Sequence, residues 1–305
     1  MSAESNDVEH LHERHRPGVG GVLGAALDLR ARPDPVGDAA DLESWGYATV
    51  WLPGGQLDTL VPIVELAAGT NNVGIGTAVL AVERCPAASV AATYSALELT
   101  APGRFAVGIG GGHGPRPLRT VGAYLDELDA TVPAVPPRAR VLAALGPRKL
   151  ELAAARCGAA QPLLVTPDYT RRARAIVGAG TGLIVHQYVV LDDDPVRARA
   201  TARVPLRFLT TVPGYAQSFR RQGFHVDDVE KLGERLIDGL IAWGDDHTVA
   251  GRLREHLEAG ADQVVVCVLP TVGSPDLPEI WSALARRVLP RPAPTASPRP
   301  HRNTT

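Results

Sequence analysis

Glycine runs, a few imidazoles and one helix start are the places where this chain could do chemistry. Gly108-x-Gly110-x-Gly112 is followed directly by His113. Glycines let backbone come close to a flat or phosphorylated ligand. An imidazole titrates near neutral pH, so His113 is a candidate proton donor or a partner for a ring oxygen; the plain alternative is a solvent-facing loop histidine. The turn Ala144-Leu145-Gly146-Pro147 offers a second kind of site. There glycine ends a strand and proline opens a helix, and the amides of such a first turn attract phosphate. Arg148 and Lys149 add positive charge, though an ordinary turn with exposed cations has the same sequence. Asp58 is either a polar site residue or a helix cap. His186 lies within an apolar strand and reads as a core residue, and Trp51 and Tyr94 read as packing.

Two familiar chemistries are disfavoured. A dinucleotide fingerprint wants its helix to start at once and an acid at the end of the next strand. Here Pro115 and Pro117 interrupt, and Asp126, Glu127 and Asp129 fall in a helix. No Gly-x-Ser-x-Gly elbow exists for a serine hydrolase.

The elements that must position these groups alternate. Strands are expected at 19–27, 48–52, 73–80, 104–110, 140–144, 163–165, 183–191 and 263–269. Helices are expected near 35–45, 59–68, 86–99, 118–129, 147–157, 168–177, 248–259 and 278–288. A long helical stretch over 195–243 breaks at Pro213-Gly214 and at Gly223. In the third helix Val90, Tyr94 and Leu97 share one face and Leu99 lies off it. Strands apolar on both faces, each followed by a helix, predict an α/β fold of the (β/α)₈ barrel type, with reactive groups at the carboxyl ends of the strands. A doubly wound sheet is the alternative.

The 305 residues are 45% hydrophobic, enough for one large α/β domain. Residues 18–288 are expected to form the barrel. Residues 1–17, with His10, His12 and His15, and the proline-rich 289–305 are expected to be disordered tails. A net charge of −2 suggests neither a nucleic-acid nor a membrane partner. Cys85, Cys157 and Cys267 are scattered and suit buried thiols in a reducing cytoplasm. Few charged groups stand at the strand ends, so no metal site is expected.

The stretch GTAVLAVERCPAASVAATYSALELTAPGRFAVGIGGGHG, residues 76–114, resembles the luciferase-like monooxygenase superfamily. It has a strand with Gly-Thr-x-Val, an alanine-rich helix leaving through Gly-Arg-Phe, then Gly-Ile-Gly. The segments RVLAALGPRKLELAAARCGAAQPLLVTPDYTRRARAIVG and LIDGLIAWGDDHTVAGRLREHLEAGADQVVVCVLP resemble the branch that uses the deazaflavin coenzyme F420. The resemblance implies a barrel, usually a homodimer, that holds a flavin-type ring at the strand ends. It implies a non-proline cis peptide at Ala78–Val79 bulging against the ring, and contacts from Gly111 and Gly112. His113 would touch the ring or donate a proton. Ala144, Leu145, Gly146, Pro147 and Thr166 would line the phosphate-bearing tail. The chemistry would be hydride transfer to or from a small organic substrate. The alternatives within the same fold are an FMN-dependent monooxygenase and a non-catalytic barrel. Where relatives place an acid or histidine after strand two, this chain has Pro53-Gly54-Gly55.

Overall fold

A computed structural model of the chain describes residues 21–57, 59–111, 114–212 and 214–289. Strands β1 (Leu23–Ala26), β2 (Thr49–Leu52) and β3 (Gly74–Thr77) are joined by helices α1 (Pro35–Ser44) and α2 (Val61–Ala68). A two-residue strand β4 (Leu80–Ala81) follows, then α3 (Ala87–Thr100), β5 (Phe105–Gly110) and α4 (Pro117–Ala130). The chain continues through β6 (Arg140–Ala143), α5 (Pro147–Arg156), β7 (Ala159–Gln161), α6 (Pro167–Val177) and β8 (Gly182–Leu191). An insertion of α7 (Pro195–Leu209), α8 (Tyr215–Arg221), α9 (Val226–Glu230) and α10 (Glu234–Leu240) leads to β9 (Ala242–Gly244). The last elements are α11 (Asp246–Glu258), β10 (Gln263–Val268) and α12 (Leu277–Val288).

All strand pairs are parallel. The order β10-β1-β2-β3-β5-β6-β7-β8 closes on itself through β8 and β10, giving a barrel of eight strands. β4 continues the line of β3 and pairs with the far end of β5, while β9 extends the end of β8 outside the barrel. No helix among the described residues is long and apolar enough to cross a membrane.

Alternation along the strands sorts side chains between the two faces. Leu23, Val50, Ile75, Val107 and Val264 point out and meet the helices in the main core. Trp51, Ala106, Val141, Ile184 and Val265 point in. The fully buried Trp51 lies inside the barrel against Gly76, where any Cβ would overlap the indole. Its Nε1 donates to Gln263 Oε1 at 3.0 Å, so the indole is buried with its polar atom satisfied. On α3 the expected face is the buried one, and Leu99, off that face, is 87% exposed.

Three expectations about elements need correction. The strand expected at 163–165 is β7, at Ala159–Gln161. Leu164 has φ +57°, which a strand does not accommodate; its side chain turns out into the insertion's core. The strand expected over 73–80 is cut at Ala78–Val79 into β3 and β4. The helical stretch expected to reach Trp243 stops at Leu240, and Ala242–Gly244 pairs with Val189–Leu191.

Candidate active site at the barrel mouth

The first wall of the mouth is the break between β3 and β4. The Ala78–Val79 peptide is cis, at the position the resemblance implied. Val79 is wedged between two glycines. A Cβ on Gly54 would overlap the Val79 carbonyl oxygen, and one on Gly110 would lie 2.5 Å from Val79 Cγ2 and 3.1 Å from Ala143 Cβ. Glycine at 54 and 110 therefore lets three strand ends close round one valine. Beside it Ala78 and Ala26 are half-buried against the inner cluster, so the rim here is main chain and methyl groups. Gly111 has φ +115°, open to glycine at little cost. Its carbonyl accepts from Lys149 Nζ at 2.9 Å. Burial lowers the pKa of that ammonium, an effect the nearby Glu83 partly opposes.

The second wall is the β6–α5 turn. Gly146 caps α5 in extended backbone and Pro147 takes the first helical position. Proline brings no N–H, and the amides of Lys149 and Leu150 return to Gly146 O at 3.0 Å. The turn is braced from two later segments. Tyr169 Oη donates to Leu145 O at 3.0 Å and to Ala144 O at 3.4 Å. Arg221 of α8 donates to Leu145 O at 3.4 Å and reaches within 3.7 Å of where a Cβ on Gly146 would sit. Thr166 stands on the same rim as the N-cap of α6: its Oγ1 accepts from Tyr169 N at 3.2 Å, and its own N–H donates to Gln222 Oε1 at 2.8 Å. The cation at this turn is thus supplied by the insertion. Lys149, expected to add charge here, is turned inward onto Gly111.

Below the mouth lies a small polar floor. His186 is 5% exposed, its ring edge set against Trp51 with centroids 5.5 Å apart. The Gln161 amide nitrogen donates to His186 Nε2, which leaves Nδ1 as the protonated nitrogen, 3.7 Å from Cys267 Sγ. Burial pushes the imidazole down to about 3 and the thiol up to about 12, so both are neutral at physiological pH. Gln161 Oε1 is buried with no hydrogen-bond partner. His186 is thus a core residue, as expected, though its core is the inside of the barrel beneath the mouth.

These features sit on a barrel whose family can be tested by comparison. Residues 34–136 match the luciferase-like monooxygenase family. No curated protein matches the sequence. Among solved structures, the barrel is similar to the coenzyme F420-dependent tetrahydromethanopterin reductase of Methanopyrus kandleri, with a TM-score of 0.66, 14% identity, and coverage of 88% of this chain and 98% of that one. An F420-dependent secondary alcohol dehydrogenase, solved with an F420–acetone adduct, gives 0.64, 15%, 88% and 99%. The oxygenating constituent of 3,6-diketocamphane monooxygenase from Pseudomonas putida, a type II Baeyer–Villiger enzyme solved with FMN, gives 0.60, 15%, 88% and 99%.

In this chain, then, the fold brings Ala78, Val79, Gly111, Ala144, Leu145, Gly146, Pro147 and Thr166 to the carboxyl end of the barrel. Asp58, Gly112 and His113 lie outside the described residues, as do the three tail histidines. Sequence reasoning missed Arg221, Gln222 and Tyr169, which meet the turn only through the fold.

Proposed function

We propose that the protein is a coenzyme F420-dependent oxidoreductase that moves a hydride between the deazaflavin and a small organic substrate. The observation that carries this reading is the convergence at the β6–α5 turn. There a helix N-terminus meets Arg221, and the Gly54–Val79–Gly110 wall of bare backbone stands beside it. A wall without projecting side chains suits a planar ring, and a rim with Arg148, Arg172 and Arg221 suits an anionic tail. Arg221 meets the turn at Leu145 O, and both Arg172 and Arg221 lower the pKa of the Tyr169 phenol that braces it. Coenzyme F420 carries a phosphodiester and glutamate carboxylates on its tail, whereas FMN carries one phosphate, so several guanidinium groups favour the former. When bound, the deazaflavin supplies a two-electron hydride donor or acceptor.

The chain's own contribution is position. Ala78 and Val79 would set the ring's tilt, and Lys149 would fix the Gly111 carbonyl next to it. Ala144, Leu145, Gly146, Pro147 and Thr166 would flank the tail. Gly112, His113 and Asp58 keep the parts assigned from the sequence: backbone contact, proton donor and substrate contact. FMN-dependent monooxygenation is the second reading, favoured by the family match. Titration of the purified protein with oxidised F420 and with FMN, followed by fluorescence, decides between them. Micromolar binding of F420 with much weaker FMN is expected. Tight binding of FMN alone would sink the proposal, and binding of neither would point to a non-catalytic barrel.

A further inference from the structure

The side of the mouth formed by β8, β10 and the start of α8 has no part in holding the cofactor as proposed. Among the described residues it carries two phenols. Tyr188 lies opposite Cys267 in the β8–β10 pairing and packs both on the inner barrel cluster and on the insertion's core. Tyr215, in the first turn of α8, packs on that same core, steadied by Phe219 with ring centroids 6.0 Å apart. Leu163 and Leu269 pack there too, half-buried. Both phenols are half-buried, and neither has a hydrogen-bond partner among the described residues. Among the described residues the groups that act electrostatically on Tyr188 are Cys267 and Tyr215, and no carboxylate, guanidinium or ammonium is among them. Burial raises both phenols, Tyr215 to about 12, so each keeps its proton at neutral pH.

We infer that Tyr188 and Tyr215 are substrate-binding residues for an uncharged organic molecule bearing a carbonyl or alcohol oxygen. That oxygen accepts from the Tyr188 hydroxyl, and Leu163 and Leu269 meet the hydrocarbon. A carboxylate or phosphate would lose its water here with no cation in return among the described groups that act on Tyr188. The inference rests on the proposed use of the mouth for a redox cofactor, which would place its ring beside that oxygen.

The test is ligand-observed NMR on the full chain, with cyclohexanone and cyclohexanecarboxylate as probes, each with and without F420. Cyclohexanone should bind and the carboxylate should not. Tyr188→Phe, which removes one oxygen and no volume, should weaken cyclohexanone about five- to ten-fold, the worth of one hydrogen bond, while F420 affinity stays within about two-fold. Tyr215→Phe should give a smaller loss in the same sense. Equal or better binding of the carboxylate, undiminished ketone binding in Tyr188→Phe, or binding of neither probe overturns the inference. Failure of F420 to bind while the ketone binds through Tyr188 would count against the cofactor and leave the phenols' role standing.

Discussion

The two sides of the barrel mouth are built from different materials. From β3 to β7 the rim is main chain: Val79 held between Gly54 and Gly110, Gly111 tied by Lys149, and Gly146 opening α5 beneath Arg221. From β8 to β10 it is side chain: two phenols set among Cys267, Leu163 and Leu269. On the proposed function the first side would recognise by shape and fixed dipoles, so an added carbon should be felt more than a lost polar group. On the same reading the second would recognise through single atoms, so one oxygen should matter more than volume. The difference orders the experiments.

Gly110→Val attacks the first side where it is tightest. With Val79 Cγ2 2.5 Å and Ala143 Cβ 3.1 Å from the new Cβ, overpacking should cost about 1–3 kcal/mol of stability. A branched side chain on the wall should also lower F420 affinity beyond about a thousand-fold. Thermal unfolding and the fluorescence titration measure the two effects separately, and a lowered Tm with unchanged affinity would detach the wall from the site. Gly146→Asp is the cleaner change, since a Cβ there meets nothing nearer than Arg221 Nη2 at 3.7 Å. The fold should survive and F420 affinity should fall about a hundred-fold; an unaltered Kd would place the tail elsewhere.

The floor beneath both sides sets a pH limit. His186 is held near 3 by burial, below its ordinary 6.5. The native state therefore keeps the ring neutral while the unfolded chain takes up a proton as pH falls through 6.5. Stability from this residue is complete above that pH and declines by about 1.4 kcal/mol per pH unit down towards 3. Urea unfolding at pH 7 and 4.5 should show the loss. His186→Gln should reduce the slope, and an identical slope in that variant would assign the acid sensitivity to other groups, His256 first, since burial also holds it near 3. The smallest effect is expected from Arg221→Gln: about ten-fold weaker F420, and a reduced dependence of binding on salt. A variant whose affinity and salt dependence match the parent would remove α8 from tail recognition.

Much of this was legible in the chain. Hydrophobic periodicity located seven of the eight barrel strands, and the face of α3 was correct down to the exposed Leu99. The exception, β7, is Ala159-Ala160-Gln161, small residues with weak strand preference, next to a Leu-Leu-Val run that looks the better strand. Leu164 breaks that run by a positive φ set by tertiary packing, which no local pattern reports. The β6–α5 turn could be read because glycine and proline act locally. Arg221 could not, because its meeting with Leu145 depends on where the insertion folds back. Tyr188 was available from alternation once His186 was placed inside.

Helix α8 is only seven residues long, yet Tyr215 stands at its start and Arg221 at its end, with the left-handed glycines Gly214 and Gly223 on either flank. One short lever would thus touch both the proposed substrate side and the proposed side of the cofactor tail. A relative that exchanged this segment would change its choice of both molecules in a single step, and a graft of residues 214–223 onto a similar barrel would carry the two preferences together.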